Sequence, residues 1–207
     1  MLRVEEVLSG WADGVDAEQV WDWVRPPEGG FTADDLDRIP GLPRRAELVD
    51  GALILMSPQK RFHMKAIWFL GNALSAGAPR EIFRVSCEMS IVIGPRQRPE
   101  PDVLVVRAEA EIDDEATWYP VEAVVLAVEV VSPESEIRDR ERKPQIYAEA
   151  GIPNFWLVDR QAGRMTVSTF ELDAETRRYV ATGSFQDRLQ VSEPFEIDID
   201  LTEIDRM

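Results

Sequence analysis

Two carboxylates at the ends of apolar segments are the residues best placed to do chemistry. Asp102 begins the segment DVLVV, and Glu129 lies inside the apolar run AVVLAVEVV at 123–131. An isolated buried carboxylate is so costly that it normally changes its protonation, finds a partner or coordinates a metal. If the two segments are antiparallel neighbouring strands, their facing Cβ atoms lie about 4.5–5.5 Å apart. Hard oxygen ligands at such a site suit Mg²⁺ or Mn²⁺, so the spacing predicts a shared divalent cation.

Each carboxylate also has an ordinary structural interpretation. An aspartate that follows a proline is often a turn residue, which would make Asp102 structural. Glu129 alone could be the buried partner of Arg138 or Arg142. The metal hypothesis therefore depends on the two side chains meeting at one end of the predicted sheet.

Two further charged residues have roles that their spacing alone leaves open. Glu47, in the segment AELVDG, is by itself more typical of an exposed strand residue. Lys143 follows Glu129 by a turn and a short helix, so its ammonium group could extend back over the strand end. Alternatively, Lys143 lies on a solvated helix face and forms an i,i+4 pair with Asp139.

The single cysteine and the single histidine exclude several chemistries. Cys87 can form no intrachain disulfide, and zinc sites built from several cysteines or histidines are ruled out. We expect Cys87 to face the core of an alternating strand, which disfavours a Cys-His dyad. His63, near the start of a predicted helix, is a weaker candidate for contacting substrate or a metal ligand. No nucleophile elbow, phosphate loop or dinucleotide fingerprint is found.

The composition is globular and strongly acidic. In 207 residues, 39 Asp and Glu stand against 23 Lys and Arg, for a formal net charge of -16. That charge opposes non-specific attraction to nucleic acid and anionic lipid, so any action on nucleic acid must use local basic groups or bound cations. The first twenty residues do not resemble a signal peptide, and no apolar run is long enough to span a bilayer. We therefore expect a cytoplasmic protein with no membrane partner.

The patterning predicts one main domain over residues 31–207 and an N-terminal helical appendage over 1–30, which includes Trp21 and Trp23. A hairpin is expected around Asp50-Gly51, followed by a helix from Arg61 to about residue 74. Further strands are predicted at 82–93, in DVLVV, in AVVLAVEVV and in three successive segments after Gly151. The fold class is therefore α/β (α+β), with a mixed, largely antiparallel central sheet flanked by helices.

A family resemblance joins these segments. AELVDGALILMSP, the following histidine, PEPDVLVV, LAVEVVSPES and RERKPQIYAEAGIPNFWLVD occur in this order over roughly residues 32–200. Together they resemble the Uma-two family, whose members are described as putative restriction endonucleases. That family is regarded as a branch of the PD-(D/E)xK nuclease superfamily, so the resemblance implies a restriction-endonuclease-like core.

The resemblance also implies roles for individual residues. Asp102 matches the acidic residue of the PD element and Glu129 that of the next element, so both would be metal ligands. Glu47 matches the acidic residue of the superfamily's first element and would complete the ion's shell. The lysine expected two positions after Glu129 is replaced by Val131. Lys143 fits the pattern of branches in which that lysine has moved to a neighbouring helix.

Three functional hypotheses follow. The first is a Mg²⁺- or Mn²⁺-dependent endonuclease that acts on DNA as a homodimer, since one site cuts one strand. Its local basic surface would come from Arg96, Arg98, Arg138, Arg140 and Arg142. The alternative is a catalytically inactive acidic interaction module that keeps the nuclease fold, which Val131 and the net charge favour. The third is a phosphohydrolase that acts on small nucleotides with the same carboxylates.

Overall fold

The computed structural model describes residues 25–43, 45–111 and 113–207, and the chain divides into two compact units. Of the described residues, those up to Ser57 and Gly94–Arg98 form the smaller unit, and those of Pro58–Ile93 and Pro99–Met207 form the larger unit. Most of the predicted N-terminal helical appendage, including Trp11, Trp21 and Trp23, lies outside the described residues. The predicted domain boundary near residue 30 stays a prediction.

The smaller unit contains the predicted hairpin. Strands β1 (Ala46–Val49) and β2 (Ala52–Leu55) pair in antiparallel register. Asp50 and Gly51, between them, have φ angles of 55° and 78°. Two successive residues of positive φ are the signature of the tight turn that Asp-Gly favours. The hairpin prediction is confirmed.

The larger unit is built on a six-stranded sheet in the order β10-β9-β8-β7-β5-β3, in which only β7 and β8 run parallel. A parallel β4-β6 pair and an antiparallel β11-β12 pair flank it. This mixed, largely antiparallel arrangement confirms the predicted fold class. The strands are β3 (Phe83–Cys87), β4 (Ser90–Val92), β5 (Val103–Arg107), β6 (Trp118–Pro120), β7 (Val124–Val130), β8 (Asn154–Gln161), β9 (Arg164–Asp173), β10 (Arg178–Phe185), β11 (Arg188–Val191) and β12 (Ile197–Asp200).

The single long strand predicted over 82–93 is wrong. Glu88 adopts a positive φ of 54°, which extended backbone does not allow. The segment therefore breaks into β3 and β4, which belong to different sheets.

Two α-helices position the candidate site. Helix α1 (Arg61–Gly77) confirms the predicted helix and extends it by about a turn. Helix α2 (Lys143–Ala150) carries Pro144 in its first turn and ends at Gly151, whose φ of 88° stops the helix. A π-helical turn at Arg138–Arg142 precedes α2, and short 3₁₀ segments lie at Ala33–Asp37, Ala108–Ala110, Val121–Ala123 and Leu201–Arg206.

The core shows why β7 carries the site. All seven of its residues are buried, as expected for a central strand that is covered on both faces. Ile67 and Leu70 of α1 belong to the same apolar cluster as Val128 and Val130. Because successive side chains alternate, Glu129 faces the opposite side, where α2 lies. In the described ranges, no helix has both the length and the apolar character that crossing a bilayer requires.

Candidate active site

The strand pairing that the site requires is present. Strands β5 and β7 are antiparallel neighbours in which Val103 pairs with Val128, so Asp102 and Glu129 occupy the next positions at the same end of the ladder. The Asp102 N–H donates to the carbonyl of Val128 (3.1 Å), and the Val130 N–H donates to Asp102 Oδ2 (2.6 Å). The predicted pairing is confirmed, and the Asp102 carboxylate lies against the backbone next to Glu129.

Asp102 has a second partner, which comes from α1. Its Oδ1 lies 3.4 Å from Nε2 of His63, and the two side chains are each only 5% exposed. His63 stands in the first turn of α1, after Lys60 at the N-cap position. Its position near a helix start was visible in the sequence, whereas its contact with a carboxylate 39 residues away was not.

Glu129 is held by two donors from α2. Its Oε2 accepts from Lys143 Nζ at 3.0 Å, and its Oε1 accepts from the Tyr147 hydroxyl at 2.6 Å. Lys143 and Tyr147 are four residues apart, so they project from the same side of the helix. The charge inside the apolar strand is therefore compensated by an ammonium group and a phenol. Sequence reasoning missed Tyr147, although its i+4 spacing from Lys143 was the available signal.

Lys143 does not lie on a solvated helix face, so that alternative is wrong. The predicted i,i+4 contact with Asp139 exists at 3.6 Å, but both side chains are almost completely buried. The Ser135 hydroxyl donates to the other Asp139 oxygen and lies 2.9 Å from the hydroxyl of Ser132. Glu129, Lys143 and Asp139 thus form a buried charge cluster, fixed by hydroxyl groups from the loop after β7.

The donor chemistry of Asp102 and Glu129 fits a hard divalent cation. Each carboxylate oxygen can accept more than one bond, so the present hydrogen bonds do not exhaust them. Mg²⁺ keeps several waters and is often held by only one or two protein carboxylates. Among the described residues, no group of three or more His, Cys, Asp and Glu side chains is arranged to hold a metal ion. The roles of Asp102 and Glu129 as ligands stay predictions.

Glu47 lies in the smaller unit, where it pairs with Ile54 across the hairpin. It is fully buried, so the interpretation as an exposed strand residue is wrong. A fully buried carboxylate needs a hydrogen-bond partner, an opposite charge or a change of protonation, so Glu47 is not an ordinary surface residue. Its contribution to an ion's shell stays a prediction.

The predicted basic surface is only partly present. Arg98 is 3% exposed and forms a bidentate pair with Asp37, so its assignment to a basic surface is wrong. Arg140 is exposed but pairs with Asp159 and Glu136. The hydrogen bond that Arg140 donates to Asp159 raises the pKa of Arg140. Burial pushes the pKa of Asp159 upward, but bonds from Arg140 and the following backbone N–H outweigh it and hold that pKa below its usual value.

Cys87 lies on the core-facing side of β3, as expected, but it is exposed. The residue is exposed at the end of β3, although its sulfur packs where a Cβ on Gly71 of α1 would lie 2.6 Å away. Partial burial, followed by the charges of Glu88 and Asp102, raises the pKa of the Cys87 thiol. A raised pKa suppresses the reactive thiolate, which agrees with the exclusion of cysteine nucleophilic chemistry.

Comparisons with known proteins identify a family model and a solved structure that are similar to this chain. The Uma2 family model, described as "Putative restriction endonuclease", matches residues 33–203. Among solved structures, "a putative nuclease belonging to DUF820" from Anabaena variabilis ATCC 29413 is similar with a TM-score of 0.66. It is 18% identical, over 84% of this chain and 97% of that chain, which shows a shared fold. No curated protein matches the sequence.

Proposed function

The chain belongs to the Uma2 family, and from this premise we propose that it is a metal-dependent endonuclease that hydrolyses phosphodiester bonds in DNA. One observation carries the proposal. The buried Asp102 and Glu129 occupy facing positions at the same end of the β5-β7 pair, and Lys143 Nζ lies 3.0 Å from Glu129. Two carboxylates and a lysine at one sheet end provide both the ligands and the positive charge that phosphodiester hydrolysis requires.

Each side chain has a distinct task in this proposal. Asp102 and Glu129 hold Mg²⁺ or Mn²⁺. When bound, the ion supplies acidity to a water molecule and neutralises negative charge on the phosphate. Lys143 orients Glu129 through its Oε2 and supplies a positive charge beside that carboxylate. Tyr147 fixes the other Glu129 oxygen, so the carboxylate is preorganised before substrate binds.

Cleavage of both DNA strands would require two such sites. A single centre hydrolyses one strand, so we propose a symmetric homodimer as the form that makes double-strand breaks. Light scattering during size-exclusion chromatography measures its mass, and a chain that stays at 23.5 kDa at the concentration of double-strand cleavage excludes the dimer.

The test is plasmid nicking with controlled metal content. We expect wild type to convert supercoiled plasmid to the open circle with Mg²⁺ or Mn²⁺ and not with EDTA. Asp102→Asn should lower the rate by at least about 100-fold, since a neutral amide is a poor ligand for a hard cation. Asp173→Asn, at a half-buried aspartate at the end of β9, is the matched control and should leave the rate unchanged. Equal nicking by wild type and Asp102→Asn would overturn the assignment.

The same geometry favours one competing function, a non-catalytic interaction module. Lys143 already compensates Glu129, so its ammonium group could permanently occupy the place of a cation. The absence of any three-donor group among the described residues points the same way. Calorimetric titration with Mn²⁺ separates the two functions. Binding that is lost in Asp102→Asn supports the nuclease, whereas no binding, together with no cleavage of DNA, RNA or small nucleotides, supports the module.

A further inference from the structure

A cleft beside the Asp102 end of the sheet has features that the metal-binding proposal does not use. Its volume is about 260 Å³, and it lies between the start of α1, the loop after β7 and the end of β8. This is smaller than the roughly 300–1,000 Å³ typical of sites for small organic ligands. The charged residues that line it are Lys60, Glu136, Arg140, Asp159 and Arg160.

The cleft is lined by three cations and two carboxylates, so its lining carries one net positive charge. Both carboxylates, Glu136 and Asp159, bond to the same residue, Arg140. Neither Lys60 nor Arg160 forms an ion pair in the part of the chain that the structure describes. The chain as a whole is acidic, but two cations without ion pairs in one cleft create a local positive potential that attracts an anion.

Arg160 is held in position although its charge is not neutralised. Its Nε donates to the carbonyl of Gly163, and its guanidinium lies 5.6 Å from the centre of the Phe62 ring. These contacts hold the aliphatic stem and the Nε–H of Arg160. They do not use the terminal N–H groups, which bind phosphate oxygens in a forked geometry. Preorganisation of this kind favours ligand binding because less side-chain entropy is lost.

His63 provides an independent observation that points to a ligand. It lines the cleft, is 4% exposed, and its Nδ1 has no hydrogen-bond partner in the described ranges. Buried polar atoms are nearly always satisfied, so an unsatisfied one predicts a group that arrives with a ligand. Its other ring nitrogen faces Asp102, so His63 forms a wall shared by the cleft and the candidate metal site.

We propose that this cleft is a phosphate subsite that binds one backbone phosphodiester of DNA next to the group that is cut. Lys60 and Arg160 supply the charge, and the first turn of the 17-residue helix α1 adds the partial positive charge of its free N–H groups. The assignment rests on the proposed nuclease function for the identity of the ligand. The phosphate chemistry itself follows from the cleft alone.

The test measures binding without cleavage. Fluorescence anisotropy of a labelled duplex in EDTA gives the Kd over a series of salt concentrations. Lys60→Ala/Arg160→Ala should weaken binding at least about tenfold and lower the slope of log Kd against log salt by about 0.9, the value for one lost phosphate contact. Lys60→Arg/Arg160→Lys keeps both charges and should restore the slope. Arg80→Ala/Arg178→Ala removes the same charge from exposed positions elsewhere in the larger unit and should keep the wild-type slope.

The outcomes separate the subsite from the nuclease. Unchanged Kd and slope in Lys60→Ala/Arg160→Ala, with circular dichroism showing a folded protein, overturn the subsite even if wild type cleaves DNA. If the slope falls as expected in Lys60→Ala/Arg160→Ala while wild type does not cleave DNA, the subsite is supported and the nuclease proposal is refuted. If inorganic phosphate or a mononucleotide binds with the same dependence on the two cations while duplex DNA does not, DNA is overturned as the source of the phosphate.

Discussion

Replacing Lys143 by methionine tests the buried charge cluster. Methionine keeps most of the apolar stem, so the change removes the ammonium group with little loss of packing. Glu129 then retains the Tyr147 hydroxyl at 2.6 Å but loses the cation at 3.0 Å. Both members of the pair are at most 2% exposed, so water cannot replace the lost partner. Removing one partner of a buried pair costs about 3–5 kcal/mol of unfolding free energy.

The assay is chemical and thermal unfolding at neutral pH. For a domain of this size, about 3–5 kcal/mol corresponds to a fall in Tm of about 6–20 °C, at about 2–4 °C per kcal/mol. Lys60→Met is the matched control, since Lys60 is exposed, and should change the unfolding free energy by no more than about 0.5 kcal/mol. Glu129→Gln/Lys143→Met should recover much of the loss because no uncompensated charge stays buried.

Metal addition extends the same experiment to function. If Glu129 is an ion ligand, Mn²⁺ at about 100 times its Kd should stabilise Lys143→Met by about 2.7 kcal/mol. A destabilisation of Lys143→Met below about 1 kcal/mol would refute the reasoning that the pair is buried and coupled. A large destabilisation that Mn²⁺ leaves unchanged would keep the pair and remove Glu129 from the metal site.

Three further changes have defined outcomes. Tyr147→Phe removes a hydrogen bond to a buried carboxylate and should lower the unfolding free energy in urea by about 1.5–3 kcal/mol. Gly51→Ala should cost about 1–2 kcal/mol, because its φ is 78° and a Cβ would lie 2.3 Å from the guanidinium of Arg96; a smaller loss in urea contradicts the turn geometry. Asp159→Asn should cost less than about 1 kcal/mol at pH 7. Since its folded-state pKa is lowered, the wild-type advantage exists above the unfolded pKa of about 3.9 and should shrink as pH falls below it; an advantage that grows in acid contradicts the sign.

Local patterns in the sequence predicted most of the elements around the site. Asp50-Gly51 predicted the hairpin, helical spacing predicted α1, and Pro144 with Gly151 predicted the limits of α2. The unbroken apolar run around Glu129 predicted a central strand, and β7 is buried along its whole length. These features depend on neighbours within a few residues, which is why the chain alone reveals them. The prediction of a single strand over 82–93 is wrong because the positive φ of Glu88 breaks the strand, and the alternation of apolar and polar residues does not reveal that angle.

The family resemblance implied a role for Lys143, but its spacing from Glu129 did not decide whether its side chain points inward or toward solvent. The structure turns it inward, to within 3.0 Å of Glu129, and pairs Arg98 with Asp37 in the interior instead of leaving it on the surface.

What the sequence by itself determined is most of the strands and helices around the site and the position of one carboxylate at the end of each of two apolar strands. Only the tertiary structure decided which cations compensate them, that Tyr147 holds Glu129, that His63 reaches Asp102, and that Lys60 and Arg160 line one cleft. The physical reason is distance along the chain. Local backbone preferences depend on adjacent residues. The partners of a buried charge come from segments that meet only when the sheet and helices pack.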